Sequence, residues 1–265
     1  MHYYNTPHGT LAYYDSGERD GANLPLVCLH GFFMNHTIFA PQAEAFSHEH
    51  RVISIDAFGH GDSEPGQLGY TFWDQAQYVV ELLESLNIKR AIWVGHSQGG
   101  FIALRAALLH PETVAGLILI GSEPSALEPE VKEMYVNLFS HWSTSDGPPD
   151  AVLDGLATQL LGRPEYWGTW PQSWKSISAR DLQPAIDCLL NRDDLSERLP
   201  EITAPALVIA GTDDQAITED RTKALANALL GAEGAHLISG AAHAPHLTHA
   251  VPVNDLMSNF SRLLK

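Results

Sequence analysis

Residues 91–104 read Ala91-Ile92-Trp93-Val94-Gly95-His96-Ser97-Gln98-Gly99-Gly100-Phe101-Ile102-Ala103-Leu104. A short apolar run suited to a buried strand leads into a G-x-S-x-G turn, and an apolar helix start follows at once. A strand that turns into a helix this sharply needs small residues on either side of the central serine. Such a turn raises the serine hydroxyl above a sheet, beside a helix N-terminus that favours negative charge. Ser97 is therefore the candidate nucleophile.

The same rhythm continues on both sides of this turn. Thr10 to Tyr14, Leu24 to Leu29, Arg51 to Asp56, Val114 to Ile120 and Ala206 to Ala210 are further strand-like runs. Phe72 to Leu86 and Phe101 to Leu109 carry the apolar spacing of helices. Strands alternating with helices predict an α/β protein, with a mostly parallel sheet covered on both faces. One stretch breaks the pattern. Between about Ser122 and Pro200 no run reads as a strand, and the segment holds Tyr135, Phe139, Trp142, Tyr166, Trp167, Trp170 and Trp174. A connection that long has structure of its own or serves function. It is read as a helical cap insertion over residues 122–200, with residues 1–121 and 201–265 forming the core. Most of its aromatics are expected to pack in the cap, leaving Trp142, Trp167 and Trp170, with Phe33 of the core, as pocket candidates.

A serine is a weak nucleophile without a base, and the base needs an acid to orient it. After a turn of this kind the acid and then the histidine follow in chain order. Leu207 to Ala210 leads into Gly211-Thr212-Asp213-Asp214, and Leu237-Ile238 leads into Ser239-Gly240-Ala241-Ala242-His243. Both groups fall past a strand's C-terminal end, the edge where open α/β sheets build sites. His30-Gly31-Phe32-Phe33 follows the strand ending at Leu29, so the backbone N–H groups of Phe32 and Gln98 are the candidate oxyanion donors.

Taken together, His30-Gly31-Phe32, Asp56 through Gly59-His60-Gly61-Asp62-Ser63, Gly95 to Gly99, Gly211 to Asp214 and Gly240-Ala241-Ala242-His243-Ala244-Pro245 resemble the α/β-hydrolase superfamily over nearly the whole chain. The resemblance implies an eight-stranded, mostly parallel sheet, with Ser97 as nucleophile, His243 as base and Asp214, rather than Asp213, as acid. It also implies an ester or lactone substrate, as in the enol-lactonase, acyl-homoserine-lactonase and short-chain esterase relatives. Serine at the turn disfavours the dehalogenase and epoxide hydrolase branches, which carry aspartate there. Carbon–carbon bond hydrolases usually have asparagine where this chain has His96. Cofactor-independent oxygenases tend to place their acid after the sixth strand, where this chain has Gly121-Ser122. Haloperoxidase-like perhydrolases and a receptor-like, ligand-binding relative are further alternatives. Glu123 is read as an acid near the start of the first cap helix. His60 is assigned to the loop after Asp56, and His96 to packing beside the turn.

Composition narrows the field. The chain has 265 residues, 45% of them hydrophobic and 18% charged, enough for a sizeable core without disulfides. Its two cysteines, Cys28 and Cys188, form no disulfide framework. The N-terminus lacks a signal-peptide pattern, and no apolar run reaches membrane-spanning length, so a cytoplasmic location with no membrane association is expected. A formal charge of −17 argues against nucleic acid and against a strongly anionic substrate, although a local arginine can outweigh the global charge. The acidic start of the cap, Glu123, Glu128, Glu130 and Glu133, suits a soluble small molecule with an apolar portion better than a lipid interface. His246 and His249 follow His243 at three-residue steps, but no carboxylate-rich partner motif accompanies them, so no metal is expected. No dinucleotide turn or P-loop is present, so no organic cofactor is expected. The oligomeric state is not legible.

Overall fold

The computed structural model describes residues 1–18, 23–144 and 146–264. Its strands are β1 (His2–Thr6), β2 (Gly9–Asp15), β3 (Leu26–Leu29), β4 (Val52–Ile55), β5 (Ala91–His96), β6 (Val114–Ile120), β7 (Ala206–Gly211) and β8 (Ala232–Ile238). They form one eight-stranded sheet in the order β1-β2-β4-β3-β5-β6-β7-β8. The β1–β2 and β2–β4 pairings are antiparallel, and every later pairing is parallel. Strands β3 to β7 are buried at every residue. Such runs have no polar face to present to water, so layers must cover both sides of the sheet.

The helices are α1 (Ala40–Phe46), α2 (Phe72–Ser85), α3 (Gln98–Leu109), α4 (Pro129–Ser140), α5 (Asp150–Leu161), α6 (Trp170–Lys175), α7 (Ala179–Leu190), α8 (Glu219–Ala228), α9 (Pro245–Thr248) and α10 (Ala250–Leu263). Helix α3 packs on β3, β5 and β6, α2 packs on α3, and α8 packs on β7 and β8. The start of α2 follows from its sequence: the Thr71 hydroxyl and Asp74 carboxylate cap one another's backbone N–H groups. Between β6 and β7 the described residues form α4 to α7 and short 3₁₀ turns, with no strand.

Three differences from the sequence reading have physical causes. Strand β1 is largely exposed and carries alternating rather than continuous burial, so its apolar signal is weak. Strand β8 begins at Ala232, five residues before its apolar end, because Glu233, Gly234 and His236 dilute the pattern. Helix α3 begins at Gln98 rather than Phe101, since the glycines that make the turn also form its first helical residues. Among the described residues no helix is long and apolar enough to cross a membrane.

Candidate active site

The turn between β5 and α3 leaves no room for side chains at its glycines. Ser97 has φ 51° and ψ −115°, a strained conformation for a residue with a side chain. Its N–H donates to the Ile120 carbonyl at 2.9 Å, and its own carbonyl accepts from the Ser122 hydroxyl at 2.9 Å. Strand β6 thus braces the turn, a role for Ser122 with no signal in the linear pattern. A Cβ on Gly95 would lie 2.5 Å from the Gly100 nitrogen, and one on Gly99 would overlap the Leu29 carbonyl. Among the described residues the Ser97 hydroxyl has no hydrogen-bond partner, and it lines a cavity together with His243. Contacts between nucleophile and base often tighten only when substrate is bound.

His243 and Asp214 meet from separate strand ends. The Nδ1–H of His243 donates to Asp214 Oδ2 at 2.8 Å. The other oxygen, Oδ1, accepts from the N–H groups of Ala216 and Ile217 at 2.8 and 2.9 Å. One carboxylate oxygen is therefore fixed by backbone and the other is aimed at the imidazole. Asp213 is exposed and accepts from the Thr212 hydroxyl instead. Gly121 explains the clear space around this pair: a Cβ there would lie 3.0 Å from His243 Nδ1 and 3.2 Å from Asp214 Oδ2.

The two candidate oxyanion donors are available. Among the described residues neither the Phe32 nor the Gln98 N–H donates to a protein acceptor. Gln98 opens α3, where the first N–H groups of a helix have no internal partner. Phe32 lies in a turn closed by Met34 N–H donating to the Gly31 carbonyl at 3.1 Å, with Phe33 at φ 66°.

Residues 25–155 match the model of the α/β hydrolase fold family. A pimeloyl-acyl-carrier-protein methyl ester esterase from Xanthomonas oryzae pv. oryzae is 31% identical over 251 residues, covering 89% of this chain and 94% of that protein. The chain belongs to the α/β hydrolase fold family. A putative carbamate hydrolase from Yersinia enterocolitica is 28% identical and covers 92% of this chain and 90% of its own. Among solved structures, the enol-lactonase from Burkholderia xenovorans superposes with a TM-score of 0.85 at 25% identity, covering 97% of this chain and 98% of its own.

The cavity of this α/β hydrolase differs from the sequence expectation in one wall. Phe33 lines it, but Trp142, Trp167 and Trp170 do not; the aromatics contributed by α4 are Tyr135 and Phe139. Hydrogen bonding supplies the reason for two of the tryptophans, because a buried indole N–H needs an acceptor. Trp142 donates to the Trp174 carbonyl at 2.8 Å, Trp174 to the Phe33 carbonyl at 2.7 Å, and Trp167 to the Gly162 carbonyl at 2.9 Å. These rings tie the inserted helices to each other and to the Phe32–Phe33 turn. Trp170 packs near Trp174, with ring centroids 6.3 Å apart. A larger cleft of about 340 Å³ lies beyond Phe33 and His60, lined mainly by polar residues such as Asn35, Ser63 and Ser173, and it contains none of Ser97, Asp214 or His243.

Glu123 also departs from expectation. It is no helix-start acid, since α4 begins at Pro129. It is buried in the cavity wall, where Arg192 Nη2 donates to Oε1 at 2.8 Å and Arg221 pairs with Oε2. Burial pushes its carboxyl above the ordinary range, against the opposing pull of Arg221 and Arg192. Arg192 and Arg221 carried no motif and were not legible in the sequence.

Histidines crowd this region, and most are structural. His30 accepts from the Ala57 N–H at Nε2, so its Nδ1–H donates to the Gly31 carbonyl. His96 lies between the His243 and His246 rings and is paired with the His243 carbonyl through Nε2 at 3.0 Å. His246 is fully buried against Phe39 and His96, with neither ring nitrogen hydrogen-bonded. His249 contacts Tyr166 and Thr248. Among the described residues no group of three or more His, Cys, Asp or Glu is placed to hold a metal ion. Burial drives His60 and His246 down to about 3. Their folded values lie below the unfolded value, so the unfolded state binds more protons between about pH 6.5 and 3, and stability falls as pH drops through that window. The expected loss by pH 5 is of order 1–2 kcal/mol per histidine. His246→Phe is expected to flatten the fall in melting temperature between pH 7.5 and 5; a slope equal to wild type would contradict this account.

Proposed function

We propose that this chain hydrolyses small carboxylic esters or lactones through an acyl-enzyme on Ser97. The observation that carries the reading is the 2.8 Å His243–Asp214 hydrogen bond, with His243 and the strained Ser97 lining one cavity. Ser97 Oγ attacks the carbonyl carbon while its proton passes to His243 Nε2. Asp214 holds Nδ1–H and so keeps Nε2 as the acceptor. The N–H groups of Phe32 and Gln98 take the oxyanion, each worth on the order of a hundredfold in rate. Collapse breaks the bond to the alcohol oxygen, which receives the proton from His243. Water then repeats the sequence on the acyl-enzyme and frees the acid.

Relatives described as esterases support this reaction class. The place beside His243 Nδ1 is taken by Asp214, and position 121, where the oxygenases tend to carry their acid, is a glycine, which favours the hydrolase arrangement. The helical segment 122–200 serves as the cap, with α4 supplying the cavity's aromatic wall. A sulfonyl fluoride is expected to modify Ser97 alone, read as a single mass increase mapped by peptide fragmentation. Modification elsewhere, or none, would overturn the assignment.

A further inference from the structure

We propose that Arg192 and Arg221 form a carboxylate-recognition site in the cavity, so that the favoured ester or lactone carries a carboxylate on its acyl part. The inference rests on the esterase reading for its reaction, but its recognition residues are separate from Ser97, His243 and Asp214.

Charge within the cavity wall is the first observation. Two guanidinium groups, Arg192 and Arg221, share one carboxylate, Glu123, in the cavity wall, so these three side chains together carry one surplus positive charge. The buried Arg192–Glu123 pair is balanced, and Arg221, 35% exposed at its side chain, is the surplus cation that an incoming carboxylate can pair with. The protein as a whole carries −17, which the sequence reading weighed against an anionic substrate. The local arrangement has the opposite sign.

Unused hydrogen-bonding capacity is the second. Arg192 donates from Nε to the Ser125 carbonyl and from Nη2 to Glu123, both at 2.8 Å. Its Nη1 has no protein acceptor among the described residues, although the group lines the cavity. Phe101 lies 4.6 Å beneath the guanidinium and keeps it in place. Arg221 is anchored by a 3.3 Å bond from Nη1 to the Ala216 carbonyl and is 35% exposed at its side chain. The Tyr135 hydroxyl, on the same cavity, has no partner among the described residues either. A guanidinium pair with free N–H groups matches the planar, two-oxygen geometry of a carboxylate.

Most of the remaining lining is apolar, with Phe32, Phe33, Leu138, Phe139, Leu156 and Leu160 along it. A short methylene chain ending in a carboxylate therefore matches the chemistry of both parts. Placing that chain on the acyl side keeps it in the cavity through both acylation and deacylation.

The test compares 4-nitrophenyl hydrogen glutarate with 4-nitrophenyl valerate, esters of similar length that differ in the terminal carboxylate. Wild type is expected to favour the glutarate in kcat/KM, and Arg221→Gln to reduce that preference roughly ten- to a hundredfold, as for a lost charge-assisted hydrogen bond. Arg221→Lys should recover part of it. Arg221 is the residue to change because its loss leaves Glu123 still paired with Arg192. A second measurement needs no turnover: monomethyl glutarate should raise the melting temperature of Ser97→Ala, and the shift should disappear in Ser97→Ala/Arg221→Gln. A wild type that treats both esters alike, or a thermal shift indifferent to Arg221, would overturn the carboxylate site. If neither ester is turned over while the Arg221-dependent shift persists, the esterase reading fails and the recognition site stands.

Discussion

Ser97→Ala is expected to lower kcat for p-nitrophenyl acetate and butyrate by a factor on the order of 10⁴ or more, while the protein stays folded. The chemical loss is large because among the described residues Ser97 is the one hydroxyl-bearing residue of the turn between β5 and α3 that lines the cavity. The structural loss is small for a specific reason: the Ser97 hydroxyl bonds to no described residue, so its removal orphans no partner. Backbone contacts from Ile120 and Ser122 hold the turn and do not involve the hydroxyl. Initial rates and a melting curve on the same preparation separate the two effects. A mutant with wild-type rate would remove Ser97 from the mechanism, and a mutant that melts far below wild type would show that the hydroxyl also supports the turn.

Asp214→Asn carries the second large effect, again a fall on the order of 10⁴ in kcat. Oδ1 of Asp214 is committed to the N–H groups of Ala216 and Ile217. An asparagine must keep its oxygen there, which turns its amide nitrogen toward His243 Nδ1. That nitrogen is a donor, so Nδ1 must become the acceptor and the imidazole proton moves to Nε2. Nε2 then cannot take a proton from Ser97. The substitution changes the tautomer rather than the geometry, and the melting temperature should move little. Asp213→Asn is the matched control, because Asp213 is exposed and among the described residues bonds only with Thr212 and Ala241. Equal losses in both variants would dissolve the distinction between the two acids.

Legibility followed the range of the interactions involved. The turn around Ser97 was readable because its requirements are local: a strand, small residues with no room for a Cβ, and a helix start, all within about ten positions. The buried strands were readable because full burial on both faces imposes a continuous apolar run. Strand β1 was not, since an exposed antiparallel edge imposes no such run. The tryptophans illustrate the limit most clearly. Their size marked residues 122–200 as a packed unit, but the carbonyls accepting their N–H groups lie mostly on other segments, as Phe33 does for Trp174. Those partners direct Trp142 and Trp174 into the scaffold and leave Tyr135 and Phe139 to face the cavity.

The sequence by itself determined the α/β layering, the strained turn at Ser97, and the order in which serine, acid and histidine arrive. Each of these is a demand made on neighbouring residues, and neighbouring residues carry its signature. Only the tertiary structure decided which carboxylate oxygen meets His243, which aromatics line the cavity, and that Glu123 lies buried between Arg192 and Arg221. Those residues are 69 and 98 positions from Glu123, and a charged side chain reads as solvated surface until folding removes its water. Desolvation is a property of the assembled chain, so the surplus arginine of that wall, opposite in sign to the charge of the whole protein, had no representation in linear order.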